Sequence, residues 1–201
     1  DFDPSLTGFT LASTENSIYN YMTTFFNRRL NTFNKIFRRS NLLTEVDALD
    51  PAILSSRLET KVQMRHTPIV GSNNSEVLNF PMKIASPDDL VPVVTSSIFT
   101  FENAVCQIKN KLESTTLQII DVDGNVRLDN VGEYNASKGT VEIVGFNPQA
   151  LIGGNTFIKI SVTPENQSVV RPLRNYILKL DTTNSSTTAI VDRQQTALRV
   201  T

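Results

Sequence analysis

Cysteine, histidine and charge are all scarce in this chain of 201 residues, and each scarcity narrows what it can do. A single cysteine, Cys106, leaves no partner for an internal disulfide. That suits a reducing compartment, or a virion assembled in one. A single histidine, His66, leaves one candidate base of its type. Eight glycines, scattered singly apart from Gly153-Gly154, offer no phosphate-cradling loop. No apolar run approaches the roughly 18 residues a membrane span needs, and no signal-peptide pattern opens the sequence. Lys and Arg number 19 against 20 Asp and Glu, so a net charge of −1 exerts no global pull on nucleic acid or anionic lipid. The sequence starts at Asp1-Phe2 without Met, as expected for a piece of a longer or processed polypeptide. Only 19% of residues are charged, and Asn, Ser and Thr are abundant, a composition that suits β-rich structural proteins.

The most patterned stretch is "FFNRRLNTFNKIFRRS", residues 25–40, with four phenylalanines and five basic residues. Ile18, Tyr19, Met22, Phe25, Phe26, Leu30, Phe33, Ile36 and Phe37 keep a helical period. At about 100° per residue they fill an arc roughly 140° wide. The spacing predicts one helix over 13–39, capped by Ser13 or Thr14, with Phe25, Phe26, Phe33 and Phe37 largely buried. Lys35, Arg38 and Arg39 lie where a helix C-terminus favours cations. Arg29 falls on the apolar arc, so its guanidinium needs a partner. Glu45, Asp47, Asp50 or a neighbouring subunit could supply one. Burying four phenylalanines at about 2 kcal/mol each outweighs exposed arginines at about 0–1 kcal/mol. Packing is therefore favoured over a membrane surface or nucleic acid, and the interface candidates are Phe25, Phe26, Arg29, Phe33 and Phe37. A connector follows, with Leu42, Leu43, Val46 and Leu49. Asp50-Pro51 then reads as the start of a short second helix ending near Arg57.

From about residue 58 the period changes to two. Val62, Met64 and His66 alternate with Lys61, Gln63 and Arg65, and Ala104, Cys106 and Ile108 with Gln107, Lys109 and Lys111. Pro81, Pro87 and Pro92 mark edges or interruptions. Asp123-Gly124 is a hairpin signal between two strand-like runs. Later runs at "TVEIVGF", "TFIKISVTP", "NYILKLD" and "TAIVDRQQTALRV" complete eight to ten short strands. The expected fold is α+β: a helical segment over 1–57, then a mainly antiparallel β region over 58–201, with further divisions near 85–102 and 164–175.

Candidate chemistry is thin. His66 lies on the apolar phase of its strand and reads as a buried or interfacial residue. Cys106 reads as a small buried hydrophobe. No GxSxG, HExxH or CxxC pattern accompanies either. Asp121, Asp123 and Asn125 resemble the start of a calcium loop, but Gly124 is fourth rather than sixth and Gly132 stands where the bidentate Glu belongs. The hairpin reading is preferred, and no metal is expected there. Asp88-Asp89, after Ser-Pro, reads as a loop or helix start. Sequons at Asn73, Asn135, Asn166 and Asn184 fit chance in so Asn- and Ser-rich a chain. No catalytic, cofactor or metal residues are assigned, and no cofactor is expected.

Three segments carry a resemblance: residues 25–68 from "FFNRRLNTF" to "QMRHTP", then "GEYNASKGTVEIVGFNP", then "VRPLRNYILKLD". In this order they are similar to the C-terminal part of the baseplate wedge protein of T-even-type contractile-tailed phages, the subunit known as gene product six. The version resembles those of cyanophages, and the likeness spans about residues 20–195. The resemblance implies a non-enzymatic structural subunit in the virion, at the tail baseplate, assembled in the host cytoplasm. It implies an inner wedge ring around the hub, a homodimer or ring of the same subunit, and association with other baseplate wedge proteins. Neither nucleic acid nor membrane is expected as a partner. The alternative is a non-catalytic β-rich binding module of a tail fibre or carbohydrate-binding protein; association without ligand, against monomeric glycan binding, separates the two.

Overall fold

Strict alternation along several strands and a broken helical pattern near the N-terminus produce two different kinds of packing. The computed structural model describes residues 1–172 and 176–192. The chain divides into two units, residues 1–59 with 168–201, and residues 60–167. The sequence reading set 58–201 apart as a β region, with divisions near 85–102 and 164–175. The residues from Ser168 onward instead group with the helices.

In the first unit, helix α1 spans Leu11–Phe25. Its N-cap is Thr10, whose hydroxyl oxygen accepts the Ser13 N–H at 3.2 Å, rather than Ser13 or Thr14. A wider π-type turn, Phe26–Leu30, continues it and buries Leu30. The helix expected to reach residue 39 ends there. "NTFN" follows, and Asn and Thr are weak helix formers whose side chains compete for backbone groups. Asn34 takes a left-handed φ of 62°, which Asn tolerates better than most residues. The chain then straightens into β1, Phe37–Arg38, which pairs antiparallel with Val169–Val170.

Helix α2, Arg39–Asp47, occupies what the sequence reading took for a connector. Leu42 and Val46, four apart, are its buried face. The helix expected from Asp50-Pro51 is a single turn. Asp50 does accept the Ala52 N–H at 2.8 Å, but Ile53 then leaves to bridge with Phe2. Phe2 and Ile53 bury each other's apolar surface, which a continuing helix would forgo.

The second unit is one ten-stranded antiparallel sheet. Its strands are β2 (Val62–His66), β3 (Asn74–Asn79), β4 (Val94–Ser96), β5 (Phe99–Phe101) and β6 (Ala104–Asn110). They continue with β7 (Thr116–Asp121), β8 (Val126–Asn135), β9 (Thr140–Phe146), β10 (Ala150–Leu151) and β11 (Ile158–Val162). Eight follow the order β2-β11-β4-β6-β7-β8-β9-β3, while β5 pairs β6 and carries β10. The fold is α+β, as the sequence predicts. Pro81, Pro87 and Pro92 all fall outside named strands, in the passage from β3 to β4.

Alternation places Cys106 and Ile108, Leu117 and Ile119, Val141 and Ile143, and Ile158, Ile160 and Val162 inward and buried. Phe99 and Phe146 meet edge to face in this core, centroids 4.8 Å apart. The end strands β2 and β3 share no ladder, yet His66 Nδ1 reaches the Glu76 carboxylate across that seam. The sheet therefore nearly closes on itself.

The run "NYILKLD" was expected to be a strand. From Tyr176 to Asp181 it carries no ladder. In the last expected strand, Val191 makes one bridge, to Phe2, and residues 193–200 lie outside the described residues. The same holds for 173–175, within the division expected near 164–175.

Candidate interaction surface

The aromatic stretch splits into a buried half and a presented half. Phe25 and Phe37 are buried and Phe26 is half-buried. Tyr21 and Phe25 are four apart on α1, with ring centroids 6.5 Å apart. Phe25 meets Phe26 at 6.1 Å, and Phe26 stacks on Phe37 at 5.4 Å. Phe37 joins this cluster from β1, through its ladder with Val170, and not from a helix face.

Phe33 does not join it. Its ring is 56% exposed, which overturns the expectation that all four phenylalanines pack inward. The helical period places Phe33 on the buried face only while the helix lasts, and the helix ends at Leu30.

Arg29 also moves relative to expectation. It is not buried in an apolar arc; its side chain is 54% exposed. It nevertheless finds one of the acids named from sequence, pairing with Glu45 of α2. Its guanidinium carbon sits 5.1 Å from the Phe25 ring centroid, a cation–π geometry. Glu45 also accepts the Tyr21 hydroxyl. That hydrogen bond pushes the Tyr21 hydroxyl pKa up and, together with Arg29, holds the Glu45 carboxyl below its usual range. The cluster clasps α1 to α2. The sequence reading missed Tyr21, which its place four residues before Phe25 could have marked, and Glu45 was one acid among three.

The segments that flank Phe33 in sequence are basic. Arg28, Lys35, Arg38 and Arg171 are exposed, and none forms an ion pair among the described residues. Lys35 and Arg171 come together because β1 and Val169–Val170 run antiparallel, so the residues flanking that short ladder meet. With Asn34, Ile36 and Pro172 they line a recess of about 110 Å³. Nothing local in the sequence marks Arg171 as its partner; only the ladder brings it there.

The other candidates are structural. His66 is buried, as expected, beside the Phe146 ring at 6.1 Å. Cys106 is fully buried, and burial pushes its thiol pKa up, away from nucleophilic use. Asp121 is buried within the hairpin turn and accepts the Asn125 N–H at 2.8 Å, the Asp123 N–H at 3.0 Å and the Arg127 Nε–H at 3.0 Å. Its carboxylate organises the turn around Gly124, φ +89°. Asp88 caps a loop, accepting the Leu90 and Val91 N–H groups. Among the described residues, no group of three or more His, Cys, Asp or Glu is placed to hold a metal ion. No helix among them is long and apolar enough to cross a membrane. Neither a family model nor a curated protein matches the chain.

Proposed function

We propose that the chain is a non-enzymatic structural subunit of a contractile phage tail baseplate, acting in the virion through contacts with wedge proteins and copies of itself. The observation that carries the reading is the ordered likeness of three segments to the wedge protein family described above. The exposed Phe33, and a Lys35–Arg171 recess without an ion pair among the described residues, agree with it, because an assembly subunit needs exposed anchors that its own core does not consume.

Electron microscopy of the chain mixed with candidate wedge proteins tests the proposal. The expected result is a defined oligomer or wedge particle, formed without added ligand. A chain that stays monomeric with every wedge protein, and binds a glycan instead, overturns the proposal in favour of a tail-fibre or carbohydrate-binding module.

A further inference from the structure

We infer that the Phe33 loop, with the Lys35–Arg171 recess beside it, is a docking surface for an acidic segment of another protein chain. One carboxylate side chain enters the recess, and an apolar neighbour packs on Phe33. The inference deepens the assembly reading and rests on it for the partner being a protein.

Charge is the first reason. The chain is near neutral overall, yet Lys35 and Arg171 line one recess, and neither is neutralised by a described acid. Like charges held together repel, and a partner's carboxylate would relieve that. Size is the second. The recess of about 110 Å³ is well below the roughly 300–1,000 Å³ of small-molecule sites, so a single inserted side chain suits it better than a free ligand. Its lining is the third. Lys35 and Arg171 offer donors, while Ile36 and Pro172 offer apolar walls. An acidic side chain has a matching charged head and methylene stem. Phe33 is next in sequence to Asn34 of the recess lining, and it supplies the exposed aromatic anchor that protein interfaces favour. Single-stranded nucleic acid fits less well, because it needs a row of stacking platforms and this loop presents one ring.

Fluorescence anisotropy on the full chain tests the inference, with three probes. These are a short labelled peptide of alternating glutamate and leucine, an oligothymidylate of equal charge, and phosphatidylserine vesicles. The peptide is expected to bind best. Phe33→Ser and the double variant K35A/R171A should each weaken it about tenfold or more. Phe33→Trp should keep binding, and Lys138→Ala, on the other unit, should leave it unchanged. All mutated side chains are exposed, so thermal midpoints should match the wild type. No peptide binding, equal binding by all variants, or tighter binding of the oligonucleotide or vesicles would each overturn the inference.

The two readings fail separately. If wild type and loop variants join wedge proteins equally well, the baseplate reading stands and the docking site is wrong. If the chain joins no wedge protein yet binds the peptide through Phe33 and Lys35–Arg171, the site stands and the baseplate reading is wrong.

Discussion

The sheet unit and the helical unit bury their aromatic rings by different means. In the sheet, Phe99 sits opposite Cys106, and Phe146 stands at the end of β9; a ladder with a neighbouring strand fixes which face each presents. The core follows from the pleat, one residue in two. In the helical unit, Phe25 and Phe26 are carried by a helix and its π-type end, Phe37 by a two-residue ladder, and Phe33 by a loop that leaves it largely exposed. The same periodic string serves three backbones. A repeat of side chains therefore reports burial only where the hydrogen bonding that generates it persists.

The sharpest way to break this contrast lies in the sheet. Gly132 has φ +131° and lies opposite Ile143, so an added Cβ would collide with the Glu142 carbonyl. Gly132→Ala should cost roughly 3 kcal/mol or more, from backbone strain plus the clash. Gly124→Ala, at a left-handed turn with open space, should cost only about 1–2 kcal/mol. Denaturant titration of both variants checks the pair. Equal losses would mean that the β8–β9 approach is looser than drawn.

Within the helical unit, Phe25→Ala should cost about 3–5 kcal/mol and Phe33→Ala under about 0.5 kcal/mol. Chemical unfolding of the two single variants decides it. Similar losses would restore the single long helix.

Asp121 ties the β7–β8 hairpin to pH. Burial alone would raise its carboxyl pKa, but the donors from Asn125 and Arg127 outweigh burial and hold it below the usual range. The folded chain thus releases this proton more readily than the unfolded one. The stabilisation is present above about pH 4 and is lost as pH falls through the depressed folded value. Asp121→Asn should lower the thermal midpoint at neutral pH and flatten its fall in acid. An unchanged acid limb would show that Asp121 is not linked to folding.

A small effect is expected of Tyr134→Phe. The Tyr134 hydroxyl is buried without a hydrogen-bond partner among the described residues, and burial pushes its pKa to about 12. Removing an unsatisfied polar atom while keeping the ring should change stability by less than about 1 kcal/mol, towards stabilisation. A loss larger than that, read from the same unfolding curves, would reveal a partner for the oxygen.

The sequence by itself determined the antiparallel sheet, the inward pair Cys106 and Ile108, the Asp123-Gly124 hairpin, and the burial of His66. A two-residue alternation holds its meaning along a strand whichever strands lie beside it. It also put Glu45 among the candidate partners of Arg29, beside Asp47, Asp50 and a neighbouring subunit. Where α1 stops was decided by the tertiary structure, because the apolar period runs on past Leu30 while Asn31 and Asn34 and the ladder from Phe37 to Val170 favour leaving the helix. The fold likewise decided that the chain leaves the turn after Asp50, where Ile53 bridges to the distant Phe2. Lys35 and Arg171 share a recess for the same kind of reason. Residues far apart in the chain become neighbours through a ladder whose register no local pattern of side chains encodes.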